Sequence, residues 1–349
     1  MNAEAAKVLR RQLAAWFHKN GRTLPWRDSP SPYAVLVSEF MLQQTQVLSV
    51  IPYFQRWMEK FPTLAALAAA PEEQVLHLWQ GLGYYSRARN LHRAAQKVVT
   101  DFGGQIPSDP KQLSTLPGVG PYSAGAISAF GFDMPAAAVD ANIARVLARI
   151  SNQHTPIDST EGARLVWALA EALLPEGSGG RLHTSALMEL GALVCLPKNP
   201  KCLVCPIRAS CTAVDPDSLP RKSPRRATVA LDEHACWIVA NASVLLEQQK
   251  GRRSGGLWKL PVIAPPREAK PLFQTTYPFT HHKITLQVHA APAPVFTSEH
   301  QRWFALGRVL DEAALPAGHR RAVVALLALE NVGNGVSHAR EEGRGNREF

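Results

Sequence analysis

The stretch Leu116-Pro117-Gly118-Val119-Gly120, followed twenty residues on by Val139-Asp140-Ala141-Asn142, is where the fold of this chain is decided. It lies between two stretches of helical pattern, Pro110 to Thr115 and Tyr122 to Phe130. Its two glycines, Gly118 and Gly120, let the backbone turn tightly and bring its N–H groups close to a ligand. The N-terminus of the following helix adds partial positive charge, so the natural ligand is a phosphate. Such contacts hold a nucleic acid in register without reading its sequence. An ordinary turn between helices would carry the same glycines, so the pentapeptide needs support from the rest of the chain. Asp140 stands where a helix N-cap stands, ahead of Ile143, Val146, Leu147 and Ile150 on one face, and capping is its plainest role.

The totals supply part of that support. At 349 residues the chain has room for two domains with their own cores. A hydrophobic fraction of 46% and a charged fraction of 19% describe a soluble globular protein. The net charge of +10 favours a polyanionic partner through counterion release. Every apolar run is broken by charge or proline within roughly 18 residues, so no membrane span is expected. Met1 to Lys19 is helical in pattern but carries Lys7, Arg10 and Arg11, which interrupt any signal-peptide core. The expected location is intracellular, cytoplasmic and nucleoid-associated.

Of five cysteines, Cys195, Cys202, Cys205 and Cys211 fall within seventeen residues, spaced C-x6-C-x2-C-x5-C. In a reducing compartment such a cluster reads as a metal site rather than a disulfide framework. Four thiolates bind zinc or an iron–sulfur cluster, and composition does not separate the two. Cys236 lies outside the set and is expected to pack as a small apolar residue.

Residues 1–217 are almost wholly helical in pattern; Val8, Leu9, Leu13, Trp16 and Phe17 fall at helical spacing. Pro52, Pro62, Pro71, Gly81, Gly83 and Pro107 punctuate the segments. Residues 218–230 begin Ser-Leu-Pro-Arg-Lys-Ser-Pro-Arg-Arg, which reads as an extended basic linker. Strand texture follows in 231–332, at Trp237 to Leu246 and Ile284 to His289, with a closing helix from Arg320 to Leu329. The tail, 333–349, is polar and rich in glycine and charge, a composition expected to be disordered. The expected fold class is multidomain: an all-α domain with a cysteine loop, then an α+β domain.

Leu-Pro-Gly-Val-Gly followed by Val-Asp resembles the signature of the helix-hairpin-helix base-excision glycosylases, in which the aspartate works beside a flipped nucleotide. The cysteine spacing is similar to the [4Fe–4S] pattern of the endonuclease III and adenine glycosylase (MutY) branches, with Lys198, Lys201 and Arg208 nearby to face DNA. Three features favour the second branch. Tyr122 stands where bifunctional enzymes carry the lysine of a Schiff base, and a Schiff base needs an amine. Pro32 to Gln46 resembles the adenine glycosylases in placing glutamate at Glu39. Gly255 to Pro261 and Tyr277 to Lys283 are similar to their C-terminal MutT (nudix)-like domain, without the R-E-x-x-E-E signature of a nucleotide hydrolase.

The resemblance implies a monofunctional enzyme that removes adenine from duplex DNA where it faces 8-oxoguanine or guanine. Glu39, among apolar neighbours, would keep a raised pKa and protonate the base. Val35, Leu42 and Gln46 are expected on its helical face. Asp140 would stabilise the sugar cation, with Tyr122 and Asn142 orienting the carboxylates. Gly118, Val119, Gly120, Gln44, Thr45, Leu82, Gly83 and Tyr84 would contact DNA, Tyr84 as an aromatic wedge in the stack. Trp26, Arg27 and Leu42 would line the base pocket. Phe279, Thr280 and His281 would read the lesion; Thr280 replaces the family's serine, keeping its hydroxyl and adding a methyl. The implied cofactor is a [4Fe–4S] cluster and the implied state a monomer. Two readings compete: an endonuclease III-like glycosylase/lyase for oxidised pyrimidines, and an iron–sulfur DNA-binding or electron-transfer protein in which Asp140 only caps a helix.

Overall fold

A computed structural model of the protein describes residues 3–28, 30–224, 227–250, 256–264, 270–279 and 281–341. Its helices up to the cysteine loop are α1 (Ala3–Asn20), α2 (Pro25–Asp28), α3 (Pro32–Leu42), α4 (Val47–Lys60), α5 (Leu64–Ala69) and α6 (Glu72–Leu78). They continue with α7 (Ser86–Asp101), α8 (Pro110–Leu113), α9 (Pro121–Phe132), α10 (Ala141–Ile150), α11 (Thr160–Ala172) and α12 (Gly180–Leu193). Strands β1 (Val229–Trp237), β2 (Val239–Ala240), β3 (Ser243–Gln248), β4 (Trp258–Lys259), β5 (Phe273–Phe279), β6 (His282–Ala290) and β7 (Gln301–Ala305) follow, then α13 (Val309–Glu312) and α14 (Ala317–Glu341). Among the described residues no helix is long and apolar enough to cross a membrane.

The chain divides into two compact units, one of residues 1–70 and 87–225, the other of 71–86 and 226–349. The division departs from a boundary near 217 in one respect: α6 and the loop after it cluster with the strand-rich unit. Within that unit the Tyr85 hydroxyl donates to the Leu315 carbonyl at 3.0 Å.

In the helical unit, one core joins Leu9 and Leu13 of α1 to Ile143 and Leu147 of α10, Val166 of α11 and Leu187 and Leu190 of α12. Helix α3 is buried from Tyr33 through Met41, so it is apolar nearly all round rather than a two-faced surface helix. The Ser31 hydroxyl caps it by accepting from Ala34 N at 3.1 Å. Helix α3 ends at Leu42, so Gln46 sits beyond it as the N-cap of α4 and does not share the Glu39 face. Helix α4 continues through Pro52, where a break was expected. The hydrogen bond Pro52 forgoes lies in the helix's first turns, and buried Val50, Phe54 and Trp57 hold the helix to the core.

Close backbone approaches bring the hairpin toward the Asp140 turn. A Cβ on Gly125 of α9 would lie 1.8 Å from the Ala137 carbonyl oxygen, so only glycine lets α9 pack there. Gly191 of α12 likewise stands against Asn142, where a Cβ would fall 2.7 Å from the Asn142 Cβ.

The expected basic linker is in part fastened down. Arg149 Nε donates to the Leu219 carbonyl at 3.0 Å, Ile157 N to the Arg221 carbonyl at 3.0 Å, and Ser223 N to Asp158 Oδ1 at 2.9 Å. A buried guanidinium has to find carbonyls, and this segment supplies one.

In the second unit, β1 pairs in parallel with β6, β6 antiparallel with β5, and a second sheet runs β2-β3-β4 with β7 on β3. The run expected as one strand from Trp237 to Leu246 is a hairpin. Asn241 and Ala242 both adopt positive φ, 48° and 54°, the geometry of a tight turn between β2 and β3. Ala235, Leu246, Val288 and Phe304 meet Leu315, Val323 and Leu326 in its core. Cys236 packs with Ile238 and Leu245. The closing helix begins at Ala317 and runs past Leu329 to Glu341. Residues 333–341 of the tail fall within this helix; residues 342–349 lie outside the described residues.

Candidate active site

A cavity of about 1190 Å³ opens within the helical unit. Its wall contains Trp26, Arg27, Glu39, Leu42, Gln44, Thr45, Tyr122, Asp140 and Asn142. Residues far apart in sequence thus converge because α3, the first turn of α9 and the start of α10 meet there.

Glu39 is only 4% exposed, and its Oε2 atom is buried without a hydrogen-bond partner among the described residues. Burial pushes its carboxyl up to about 7, against a hydrogen bond from Tyr122 and the nearby charge of Arg27; the charge of Asp140 adds to the rise. The same burial, with two carboxylates close by, raises the Tyr122 hydroxyl well above its ordinary value. Tyr122 therefore serves as a donor to Glu39 and keeps its proton.

Asp140 caps α10. Its Oδ1 accepts from Ile143 N at 2.7 Å, and its Oδ2 accepts from Asn142 Nδ2 at 3.1 Å. Burial raises its pKa, while those donors and the charge of Arg145 favour the anion. Capping and chemistry are not rival roles here, because the cap bonds orient a carboxylate whose charge the cavity wall can use.

Behind Asp140 runs a chain of side chains. Arg145 Nη2 donates to Asn142 Oδ1 at 2.8 Å and to the Gly191 carbonyl at 2.8 Å, and its Nε to the Cys195 carbonyl at 2.7 Å. One turn on, Arg149 Nη1 donates to the Cys195 sulfur at 3.3 Å and to the Leu196 carbonyl at 2.7 Å. Asp140 is thereby tied to the start of the cysteine loop.

Cys195, Cys202, Cys205 and Cys211 are all free thiols of intermediate burial. Burial pushes the Cys205 thiol up to about 11, and Cys195, Cys211 and Cys202 add to the rise. A bound cation would stabilise these thiols as thiolates, so the four cysteines are of the residue type that could ligate a metal centre. Among the described residues, no three His, Cys, Asp or Glu side chains are placed to hold a single metal ion.

The hairpin stands at the mouth of α9. Gly118 has φ +78°, and a Cβ there would meet Asn90 and Phe40 within 2.9 Å. At Gly120, the N-cap of α9, a Cβ would meet nothing within 4 Å, which leaves the helix end open to an anion. At Val119 the side chain is buried and the N–H donates to the Leu116 carbonyl at 3.1 Å. Its place in the hairpin is that of a packing anchor.

The segment expected to hold the wedge belongs to the second unit. Leu82 is buried, Gly83 accepts from Trp79 Nε1 at 3.0 Å, and Tyr84 has φ 46° with half of its surface exposed. A non-glycine residue in that conformation at an exposed loop is a constrained one. Phe279 closes β5, Thr280 lies outside the described residues, and His281 is exposed with its ring 3.9 Å from that of His282. Gly255, at the head of the other stretch expected to be MutT-like, also lies outside the described residues.

Several side chains that build the site are ones the sequence reading missed. Arg87 Nη1 donates to the carbonyls of Phe40 and Met41 at 3.1 and 2.9 Å and to Thr45 Oγ1 at 3.1 Å, closing the end of α3 beside Gln44. Glu189 receives Arg22 Nε at 2.5 Å and Arg27 Nη2 at 3.0 Å. A charge inside the apolar run Ala186 to Val194 was the available signal for Glu189, the same signal that singled out Glu39. The buried arginines carried none, because in one sequence they look like surface arginines.

Comparison with known proteins agrees with this architecture. The profile of the HhH-GPD superfamily, base excision DNA repair proteins, matches residues 37–171. A thermostable thymine-DNA glycosylase superposes with a TM-score of 0.55 at 29% identity, over 60% of this chain and 96% of that one. Curated relatives named adenine DNA glycosylase include one from Rattus norvegicus, 45% identical over 59% of this chain and 42% of its own length. One from Buchnera aphidicola of Schizaphis graminum is 33% identical over 66% of this chain and 67% of its own. The chain belongs to this superfamily of base excision DNA repair proteins, in the family of the adenine DNA glycosylases. It spans about two fifths of the length of its mammalian relatives, 42% for the rat protein.

Proposed function

We propose that the protein is a monofunctional adenine DNA glycosylase that hydrolyses the N-glycosidic bond of adenine facing 8-oxoguanine or guanine in duplex DNA. The observation that carries this reading is a Glu39 carboxyl buried in the same cavity wall as Asp140, where burial pushes its pKa up to about 7. Adenine must leave the stack to be reached, and the cavity is the place for it. The neutral Glu39 carboxyl donates its proton to adenine N7, which makes the base a competent leaving group. As the glycosidic bond breaks, the sugar becomes an oxocarbenium ion, and Asp140, whose anionic form the bonds from Ile143 N and Asn142 favour, stabilises it. Water completes hydrolysis and yields adenine and an abasic site. Tyr122 offers no amine, so strand cleavage through a Schiff base is not part of the reaction.

The hairpin, through Gly118 and Gly120, binds a DNA phosphate, while Gln44, Thr45 and the wedge Tyr84 line the distorted duplex. Cys195, Cys202, Cys205 and Cys211 would hold a [4Fe–4S] cluster, which when bound would supply a covalent anchor for the loop 195–211. The strand-rich unit is a MutT-like reader, with Phe279, Thr280 and His281 at its lesion-facing loop, and the protein works as a monomer inside the cell. The test is base release from defined duplexes. Adenine opposite 8-oxoguanine should be excised, with strand breakage only after alkali. Breakage at thymine glycol without alkali, and no adenine release, would reject the reading.

A further inference from the structure

We propose that Glu189 is a positioning residue of this site: it fixes Arg22 and Arg27 on the cavity wall, offsets their charge, and so governs how firmly Glu39 holds its proton. The proposal rests on the glycosylase reading above for its catalytic meaning, though its geometry stands without it.

Glu189 sits on α12 with its side chain fully buried, 0% exposed. A carboxylate taken out of water is costly unless donors surround it. Here Oε1 accepts Arg22 N at 3.1 Å and Arg22 Nε at 2.5 Å, while Oε2 accepts Arg22 Nη2 at 3.3 Å and Arg27 Nη2 at 3.0 Å. Arg27 is pinned further by its Nη1 donating to the Arg22 carbonyl at 3.0 Å and by the Phe17 ring 5.5 Å from its guanidinium. Both arginines line the cavity that holds Glu39. Two guanidiniums against one carboxylate leave one net positive charge there, where an unpaired couple would leave two.

The charged and titratable groups that bear on Glu39 are Tyr122 from α9, Asp140 from the cap of α10, and Arg27 from α2. Arg27 is the one cation in this set, and it favours the ionised form of Glu39. A proton donor must nonetheless stay protonated at neutral pH. Removing the Glu189 charge while leaving the arginines in place strengthens the pull on Glu39 and strips its proton earlier. Glu189 therefore acts through the arginines without touching the base.

The test reads Glu39 directly. The infrared carboxyl band of protonated Glu39, assigned by its loss in E39Q, is followed between about pH 5 and about pH 9 in the full-length protein. E189Q keeps the shape and one acceptor, and its midpoint should fall by about one pH unit. E189D keeps the charge and should titrate as the wild type does. R27M removes the cation and should raise the midpoint, which tests the same coupling should E189Q not fold. A midpoint that stays or rises in E189Q, or stays or falls in R27M, overturns the proposal. Adenine release by wild type and E189Q is measured alongside, with a rate about fivefold lower in E189Q at neutral pH, approaching about tenfold at higher pH, and little change in acid. An equal loss at every pH would mark Glu189 as merely structural. A wild type that releases no adenine defeats the glycosylase reading alone, because the infrared titration still decides Glu189.

Discussion

The hydroxyl of Tyr122 donates to the buried carboxyl of Glu39, so the first turn of α9 is itself part of that carboxyl's hydrogen-bonding environment. That bond favours the ionised carboxyl, in opposition to the burial that raises it.

Replacing Tyr122 with Phe removes the donor and should raise the pKa of Glu39 further above 7. The high-pH limb of base release should move to higher pH in Y122F, even as the maximal rate drops through lost orientation. A limb that moves to lower pH would show that the hydroxyl does not act on Glu39 in this way.

Glu39 should cost stability where it is ionised. Its pKa rises from 4.5 to about 7 on folding, so the folded state loses ground as pH climbs through that window. The loss is on the order of 3 kcal/mol when complete. E39Q should therefore abolish adenine release, retain duplex binding, and melt above the wild type at pH well past neutral, with the two converging in acid. Near-normal turnover in E39Q would remove Glu39 from the chemistry.

Asp140 combines a cap and a charge, and two substitutions separate them. Asparagine is as good a cap as aspartate, so D140N should keep wild-type stability and lose base release. D140A should also lose base release and in addition cost about 1 kcal/mol in thermal or denaturant unfolding. If D140N turned over normally, capping alone would account for the residue.

Gly118 tolerates no side chain, because its φ of +78° is joined by the close approach of Asn90 and Phe40. G118A should destabilise the helical unit by more than about 1 kcal/mol. It should also weaken binding to undamaged duplex, since a phosphate grip carries no sequence information. Fluorescence anisotropy against a salt series reads this, and unchanged affinity would place the DNA phosphates elsewhere.

The cysteine loop makes a spectroscopic prediction. Purified protein should be brown with broad visible absorbance, and C202S should lose that colour and melt at lower temperature. A colourless wild type containing zinc would replace the cluster with a mononuclear site.

The hairpin, Glu39 and Asp140 were legible because each breaks a local pattern in a way one residue type explains. Two glycines mark a turn, and a carboxylate stands within Val35 to Leu42, where every neighbour but Ser38 is apolar. Turns and helix interiors are governed by near neighbours, so sequence suffices. Gln46 was misplaced for the complementary reason. Whether a hairpin N–H is free, and where α3 stops, depend on the hydrogen bonds actually closed, such as Val119 N to the Leu116 carbonyl. The hairpin at Asn241-Ala242 escaped notice because alanine carries no turn signal; positive φ is imposed there by pairing between β2 and β3.

By itself the sequence determined the helical and strand-rich segments, the glycine hairpin, the thiol loop and the buried carboxylates that the proposed chemistry uses. Those follow from composition, periodicity and spacing, which are properties of the chain. Only the tertiary structure decided that Asp140, Asn142, Arg145 and Cys195 form one connected series, that Arg87 closes the end of α3, and that Glu189 restrains two arginines beside the acid. Buried charges find partners across long sequence separations, and the pairing is fixed by which helices pack closely enough to exclude water.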